Sequence, residues 1–221
     1  MVAGGVGEQD GFGGYRAKLV ETLRGKGIRD LAVLRAIQMV PRHLFVPESV
    51  RHRAYDDVAL PIGNGQTISQ PYVQARYLEL IGLAGRARVL EIGSGSGYQT
   101  ALLALLCDSV FGVERISGLA EASRAALQAA GISNSTVLVG DGTIGWRPFA
   151  PYDAILVAAA SPEVPAPLLE QLAPGGRMVI PLGDRAGQTL TLVRREADGL
   201  KVSTIEDVRF VPLLGEFGFS S

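Results

Sequence analysis

The feature that most constrains the fold is a short apolar run followed by three alternating glycines and a helix-forming segment. It lies at Val89-Leu90-Glu91-Ile92-Gly93-Ser94-Gly95-Ser96-Gly97-Tyr98. Glycines permit a sharp turn and a close approach of a ligand to the backbone. The first turn of a helix offers free N–H groups and the positive end of the helix dipole. The segment therefore predicts a strand–loop–helix unit whose ligand lies beyond the carboxyl end of a strand, as in open α/β sheets.

Short apolar runs alternate with helical patterns from residue 88 onward, which predicts βαβ units and a doubly wound, mostly parallel sheet. Two β-like runs near the end of the chain, Thr189–Arg195 and Lys201–Val211, flank a turn with Asp198-Gly199 and predict an antiparallel hairpin. The fold class is therefore α/β. The other predicted strands are Arg88–Ile92, Ser109–Val113, Val137–Val139, Asp153–Ala159 and Arg177–Ile180, and the predicted helices between them are Tyr98–Leu106, Leu119–Ala130 and Pro167–Leu172.

The first part of the chain is predicted to be helical. We expect three helices, beginning near Tyr15, Leu31 and Pro71, with Asp30 as the N-cap of the second. The stretch His43–Gln70 between the last two is predicted to be rich in loops. The glycine-rich residues 1–14 are predicted to form a flexible tail. Residues 15–221 are predicted to form a single domain, with an N-terminal helical region at 15–87 and an α/β cofactor-binding core at 88–221.

Composition argues against several classes of protein. Twenty-one basic and 22 acidic side chains give a net charge of −1, unlike a general nucleic-acid binder. One cysteine and two histidines are too few for a typical zinc site, so no metal is expected. The longest apolar run, Ala101–Cys107, is far shorter than the roughly 20 residues that span a bilayer, and residues 1–14 lack an apolar signal-peptide core. We therefore expect a cytoplasmic protein without nucleic-acid or membrane partners.

The glycine spacing separates the kinds of site that such a loop can form. A dinucleotide site is typical of G-x-G-x-x-G, whereas residues 93–97 read G-x-G-x-G. A phosphate-binding P-loop requires lysine and then Ser or Thr after the last glycine, but Tyr98-Gln99 follow. A hydrolase nucleophile elbow requires a serine where Gly95 stands. The remaining class is a site for S-adenosylmethionine.

Acidic residues at the ends of three successive predicted strands favour this class. Glu91 would repel a diphosphate but is complementary to the ammonium group of a methionine moiety. Glu114 follows the second strand, as does the acid that accepts hydrogen bonds from ribose hydroxyls in nucleoside-binding folds. Asp141-Gly142 follows the third strand, where an acid and a backbone N–H can meet the adenine edge. Each acid alone has a structural alternative, and together they predict an adenosyl-cofactor site.

Further motifs extend over nearly the whole chain. The most specific is Gly65-Gln66-Thr67-Ile68-Ser69-Gln70-Pro71, preceded by Val40-Pro41-Arg42-His43-Leu44-Phe45-Val46-Pro47. Later segments are Ala150-Pro151-Tyr152-Asp153, Gly175-Gly176-Arg177 and Arg209-Phe210-Val211-Pro212-Leu213. From about Tyr15 to Gly215, these motifs resemble the protein-L-isoaspartate O-methyltransferase family.

The resemblance implies a Rossmann-like class I S-adenosylmethionine-dependent methyltransferase. Such an enzyme methylates the free carboxyl of L-isoaspartyl residues, and D-aspartyl residues are a possible second substrate. The ester re-forms a succinimide, which initiates repair, and S-adenosylhomocysteine is the other product. The implied partners are age-damaged proteins and peptides, and we expect a monomer. The implied cofactor-binding residues are Gln66, Thr67, Ile68, Ser69, Gln74, Glu91, Gly93, Ser94, Gly95, Gly97, Glu114, Arg115, Asp141 and Gly142.

Ser69 is the predicted catalytic residue. An α-carboxyl, with a pKa of about 3.3–3.7, is already ionised at neutral pH, so the reaction needs no general base. The Ser69 hydroxyl can donate a hydrogen bond to this carboxylate, and it precedes a helix N-terminus that suits an anion. The alternative for Ser69 is an ordinary N-cap. His43 and His52 are expected to be structural, and Trp146 either packs near the adenine or covers the core.

Two other functions stay open at this point. An O-methyltransferase that acts on a biosynthetic peptide or a small-molecule carboxylate would use the glycine loop and Glu114 equally well. A non-catalytic adenosyl-binding module would bind the cofactor without transferring its methyl group. Methyl transfer to an isoaspartyl peptide, but not to its aspartyl twin, distinguishes these possibilities.

Overall fold

A computed structural model describes residues 11–83 and 85–220. Residues 1–10 of the predicted tail lie outside the described residues, and the first helix begins at Gly13, two residues before its expected start. The helices are α1 (Gly13–Gly25), α2 (Leu31–Met39), α3 (Pro71–Ile81), α4 (Tyr98–Ala104), α5 (Ser117–Ala129) and α6 (Ala166–Gln171). The strands are β1 (Leu60–Gly63), β2 (Gln66–Ile68), β3 (Arg88–Ile92), β4 (Ser109–Glu114), β5 (Ser135–Val139), β6 (Tyr152–Val157), β7 (Leu172–Gly183), β8 (Gln188–Glu196) and β9 (Gly199–Val208).

Seven strands form the central sheet in the order β5-β4-β3-β6-β7-β8-β9. The first five of these are parallel, whereas β8 pairs antiparallel with both β7 and β9. The predicted α/β class with a terminal antiparallel hairpin is confirmed. The strand order changes direction between β3 and β6, which is where open α/β sheets leave a crevice at the carboxyl ends of the strands.

Both faces of the sheet are covered by apolar side chains. Successive residues of β3 point to opposite faces, so Val89 packs with the N-terminal helices and Leu90 packs with α6. The face of Val89 includes Leu19 and Leu23 of α1 together with Leu102 of α4. The N-terminal helices thus share their hydrophobic core with the sheet. One domain over residues 15–221 stays a prediction.

The stretch predicted to be loop-rich contains regular structure. Two 3₁₀ turns, at Arg42–Phe45 and Glu48–Arg53, precede an antiparallel hairpin of β1 and β2. The hairpin turn consists of Asn64 and Gly65, which both have positive φ angles, of 52° and 68°. Asn-Gly is the strongest short-range signal for such a two-residue turn, so the sequence does contain a signal for this hairpin, and the prediction of a loop was wrong here.

Strand β7 is longer than predicted. Gly175-Gly176 was expected to separate α6 from a strand at Arg177–Ile180, but β7 begins at Leu172. Leu172 pairs with Tyr152, and Arg177 pairs with Ala154, so residues 173–176 form a bulge rather than a break. The Asp30 cap is confirmed, since its carboxylate accepts hydrogen bonds from the N–H groups of Ala32 and Val33. Within the described residues, no helix has both the length and the apolar character needed to cross a bilayer.

Candidate active site

A cavity opens at the carboxyl ends of β3, β4 and β6. Its floor comes from the glycine loop, and one wall comes from the segment that joins β2 to α3. The opposite wall is the C-terminal segment, defined here as residues 210–214. Residues of three neighbouring strands meet there because parallel strands end at the same edge of the sheet. The predicted site residues that line the cavity are Gln66, Thr67, Ile68, Ser69, Gln74, Glu91, Gly93, Ser94, Gly95, Glu114, Arg115 and Gly142.

The glycine loop takes a backbone conformation that other residues rarely adopt. Gly93, Gly95 and Gly97 have φ angles of 82°, 52° and 85°. Gly93 and Gly95 line the cavity, but Gly97 does not. A Cβ atom at Gly97 would lie 2.5 Å from the Ser123 hydroxyl oxygen, because α5 packs directly behind the loop. In the structure Gly97 lets α4 begin against α5, and its predicted role in cofactor binding stays a prediction.

Glu91 lies on the cavity floor with its side chain fully buried. The Thr100 hydroxyl donates a hydrogen bond to Oε2. The other oxygen, Oε1, has no hydrogen-bond partner in the structure. Burial raises the pKa of the Glu91 carboxyl from 4.5 to about 8, and the nearby Glu114 acts in the same direction. This buried acid is therefore suited to a cationic or hydrogen-bond-donating group brought by a ligand.

Glu114, at the end of β4, is tied to the glycine loop. Its Oε2 accepts a hydrogen bond from the Gly95 N–H at 2.9 Å, and its Oε1 accepts one from the Ile116 N–H at 2.9 Å. A carboxylate has about four lone-pair sites, so both oxygens can accept further bonds from the cavity. The side chain is 7% exposed and lines the cavity, as does the exposed Arg115. Glu114 is thus presented as a fixed acceptor for two neighbouring hydroxyl groups.

Ser69 precedes α3 but does not cap it. The N-cap position is Gln70, whose side chain makes no capping bond, and the Tyr72 N–H is satisfied by Asp57 Oδ1 at 2.8 Å. Among the contacts of the described residues, the Ser69 hydroxyl has no hydrogen-bond partner, although the Ser69 carbonyl has one. The predicted alternative of N-capping is therefore not realised. The hydroxyl remains available to a ligand in the cavity.

Asp141 is not among the residues that line the cavity, and the expectation that it meets an adenine edge stays a prediction. Its Oδ1 accepts bonds from the N–H and hydroxyl of Thr143, and its Oδ2 accepts one from the Glu216 N–H at 2.8 Å. Although burial opposes the shift, these bonds, with the one from Glu216 foremost, lower the pKa of the Asp141 carboxyl. The neighbouring Gly142 does line the cavity. Asp141 ties the end of the chain to the loop after β5.

The sequence analysis missed two parts of the site. The C-terminal segment belongs to a family motif, but its place in the cavity lining follows from the return of the chain after β9 to pair with Ala160. The second is Gln99 in the first turn of α4, which lines the cavity and is 6% exposed. Both polar atoms of its amide are buried, and neither has a hydrogen-bond partner among the described residues. Buried polar groups are normally paired, so this amide is suited to a ligand.

Other candidate residues lie elsewhere. His43 stacks on Phe12 with ring centroids 4.2 Å apart, and its Nδ1 lies 2.8 Å from the Tyr55 hydroxyl. Trp146 packs edge-on against Phe111 and Phe149 and does not line the cavity. No histidine, lysine or cysteine is among the described residues that line the cavity. A group of three or more His, Cys, Asp or Glu side chains able to hold a metal is likewise not found in residues 11–83 and 85–220.

A second cavity adjoins the first. The two share Thr67, Ser69 and Val73 on one side and Phe210 and Val211 on the other. The second cavity then extends toward the end of β9, where its lining includes residues 206–209. Glu91 and Glu114 line the first cavity but not the second. Ser69 therefore lies where the two cavities meet. The first has acidic residues that suit a nucleoside, and the second opens along the edge strand β9.

Comparison with known proteins gives a consistent result. Residues 15–218 match the sequence model of a family described as protein-L-isoaspartate(D-aspartate) O-methyltransferase. A protein-L-isoaspartate O-methyltransferase of Roseiflexus sp. (strain RS-1) is 54% identical over 204 residues, which are 92% of this chain and 94% of the relative. The enzyme of the same name from Syntrophus aciditrophicus is 48% identical over 215 residues, covering 96% and 99% of the two chains.

Two solved structures share this architecture. A protein-L-isoaspartate O-methyltransferase superposes with a TM-score of 0.85 at 31% identity, over 92% of this chain and 67% of the other. A Plasmodium falciparum protein, described as a protein-L-isoaspartate O-methyltransferase in complex with S-adenosyl-L-homocysteine, has a TM-score of 0.81 at 28% identity. That alignment covers 90% of this chain and 98% of the Plasmodium chain.

Proposed function

The chain belongs to the protein-L-isoaspartate(D-aspartate) O-methyltransferase family, and on this premise we propose that the two adjoining cavities are the cofactor and acceptor sites of that family's reaction. The protein transfers a methyl group from S-adenosylmethionine to the free carboxyl of L-isoaspartyl residues in damaged proteins and peptides. The methyl ester then re-forms a succinimide, which initiates repair.

The residues of the first cavity fit the proposed cofactor. The unpartnered Oε1 of Glu91 complements the ammonium group of a methionine moiety. Glu114 is fixed by two backbone N–H groups and can accept bonds from the two ribose hydroxyls. Apolar side chains such as Val113 and Leu213 complete the lining, which suits an adenine ring. When bound, S-adenosylmethionine supplies a methyl group on a positively charged sulfur.

The observation that carries the proposal is the Ser69 hydroxyl at the junction of the two cavities. It has no hydrogen-bond partner in the described residues, and it lies where a carboxylate in the second cavity would face the cofactor. We infer that it donates a hydrogen bond to one oxygen of that carboxylate and so orients the other oxygen. Because hydrogen bonds to ionised groups are stronger than neutral ones, a single hydroxyl can hold this geometry.

The remaining residues orient the reactants and exclude water. An isoaspartyl α-carboxyl is ionised at neutral pH, so no side chain has to remove a proton. This agrees with the lining, which lacks histidine and lysine within the described residues. Good positioning of two reactants contributes about 7–11 kcal/mol to lowering a barrier. Residues 210–214 line the same cavity as the glycine loop and pair with Ala160 after β6.

We propose that the second cavity holds the peptide around the damaged residue. It runs from Ser69 toward the exposed end of β9, which leaves room for chain on both sides of an isoaspartyl unit. Recognition there depends on the abnormal backbone more than on particular neighbouring side chains, so the proposed partners are age-damaged proteins in general. We propose D-aspartyl residues as a second acceptor. We further propose a cytoplasmic monomer.

The test is methyl transfer from radiolabelled S-adenosylmethionine to two peptides that differ only in one isoaspartyl or aspartyl linkage. We expect transfer to the isoaspartyl peptide and essentially none to its twin. Transfer to neither peptide, with S-adenosylhomocysteine still bound, would support a non-catalytic module. Equal transfer to both would show that the second cavity does not recognise the damaged backbone.

A further inference from the structure

A buried arginine lies beneath the proposed cofactor site and connects three parts of the chain. Arg42, in the 3₁₀ turn after α2, is 0% exposed. Its Nη1 donates a hydrogen bond to Gln74 Oε1 at 2.6 Å, and its Nη2 donates one to the Ser69 carbonyl at 2.9 Å. Its guanidinium carbon lies 4.6 Å from the ring centroid of Tyr98, the first residue of α4.

Within the described residues this guanidinium forms no direct ion pair, and the Asp57 carboxylate acts on it only from a distance. The ion pairs found in the described residues do not include Arg42, and its Nε has no hydrogen-bond partner. Burial lowers the pKa of Arg42 from 12.5 to about 10, so the side chain stays charged at neutral pH. An unpaired buried charge is costly, and neutral contacts such as the Tyr98 ring and the two oxygens compensate only partly.

The contact with Arg42 determines which way the Gln74 amide points. The oxygen and nitrogen of a glutamine amide have nearly the same shape, so the surroundings decide between its two orientations. Arginine can only donate, so the atom that faces Arg42 must be Oε1. The amide nitrogen Nε2 is then turned away from Arg42. It makes no hydrogen bond with any described residue, and Gln74 lines the first cavity but not the second.

We propose that Arg42 is a positioning residue that holds the Gln74 amide nitrogen toward the cofactor cavity as a hydrogen-bond donor. The inference rests on the proposed function, since it takes the first cavity as the site of S-adenosylmethionine. The amino-acid part of that ligand has an ammonium group and a carboxylate. Glu91 complements the ammonium, and Gln74 supplies a donor to the carboxylate. Through its bond to the Ser69 carbonyl, Arg42 also links this donor to the residue that orients the substrate.

The sharpest test is Gln74→Glu, because the inference predicts that stability and affinity change in opposite directions. Glutamate retains the acceptor for Arg42 and adds the missing counter-charge, so the melting temperature of the ligand-free protein should equal or exceed that of the wild type. The same change replaces the donor that faces the cavity with a carboxylate oxygen. The dissociation constant of S-adenosylhomocysteine, measured by calorimetry, should therefore rise at least tenfold. An affinity within twofold of the wild type would overturn the inference, as would a parallel loss of stability and affinity.

A second test compares Arg42→Lys with Arg16→Lys. Lysine retains the positive charge but lacks the planar fork that reaches two acceptors at once. Arg16 is a matched control, since it is also buried at 1% exposure and contacts Tyr55 rather than the cofactor loop. Both variants should melt at a lower temperature, but only Arg42→Lys should weaken S-adenosylhomocysteine binding, by about fivefold or more. Equal changes in affinity would show that Arg42 is merely structural.

These titrations use no methyl acceptor. If the wild type binds S-adenosylhomocysteine but fails to methylate the isoaspartyl peptide, the proposed acceptor is wrong and the role of Arg42 is still decided. If the peptide is methylated and the Gln74→Glu protein binds normally, the role of Arg42 fails while the proposed function stands.

Discussion

The fold penalises the ionisation of Glu91, and replacing this residue with glutamine tests that conclusion. Its carboxyl is fully buried, with one oxygen paired to Thr100 and the other unpaired. Burial raises its pKa from 4.5 to about 8. The folded protein therefore holds a proton on Glu91 over a pH range in which the unfolded chain has released it. The resulting stabilisation is fully present below pH 4.5 and is lost as the pH rises through about 8.

The size of the effect follows from this difference. Each pH unit between the two pKa values changes the free energy of unfolding by about 1.4 kcal/mol. Between pH 5.5 and pH 8.5 the wild type should therefore lose about 3 kcal/mol that Glu91→Gln does not lose. Glutamine keeps an oxygen that accepts a hydrogen bond from Thr100 and leaves one polar atom unpaired. Because glutamine does not titrate, these contacts change the free energy of unfolding by the same amount at every pH.

The measurement is urea denaturation of the cofactor-free proteins at pH 5.5, 7.0 and 8.5. The matched control is Glu163→Gln, the same chemical change at an exposed position, which should follow the wild type. The difference in unfolding free energy between Glu91→Gln and the wild type should grow steadily with pH in favour of the variant. Parallel curves would show that the Glu91 carboxyl is ionised in the folded protein at neutral pH and would refute the argument from burial.

Three further predictions concern single residues. Ser69→Ala should lower the single-turnover rate of methyl transfer at least tenfold, while the dissociation constant of S-adenosylhomocysteine should change less than threefold. An unchanged rate would remove Ser69 from the mechanism. Gly97→Ala should lower the free energy of unfolding by about 2 kcal/mol or more, because it combines backbone strain with a Cβ atom 2.5 Å from the Ser123 hydroxyl. Gly131→Ala, with a φ of 72° and open space around the Cβ, measures the strain alone by the same urea titration. Gln99→Leu should stabilise the ligand-free protein by about 1 kcal/mol, since it removes an unpaired buried amide. It should also weaken the binding of S-adenosylhomocysteine measured by calorimetry. Unchanged affinity would mean that the amide does not face the ligand.

Much of the fold could be predicted because its signals are local. The strand β3, the glycine loop and the start of α4 occupy consecutive residues, and turn geometry acts over a few residues. The Asp30 cap and the Asp198-Gly199 hairpin were predicted for the same reason. The β1–β2 hairpin was not predicted, although its turn residues Asn64-Gly65 are a local signal. The sequence therefore contained enough information to predict this hairpin.

The acids of the site show where local reasoning stops. Glu91, Glu114 and Asp141 all lie in or just beyond the ends of predicted strands, and the sequence alone treats them alike. The structure separates them: Glu91 is buried with a free oxygen, Glu114 is fixed by the glycine loop, and Asp141 is bonded to Thr143 and Glu216. Glu216 lies 75 residues along the chain from Asp141, and no short window contains that contact.

The sequence by itself determined the class of ligand and the edge of the sheet where it binds, because strand, glycine turn and helix start are set by neighbouring residues. Only the tertiary structure decided which side chains face the ligand. It bonded Arg42 to Gln74 and brought residues 210–214 into the same cavity as the glycine loop. It also left the Ser69 hydroxyl without a hydrogen-bond partner among residues 11–83 and 85–220. These arrangements depend on segments far apart in the chain that meet only when the helices and the sheet bury their apolar faces together.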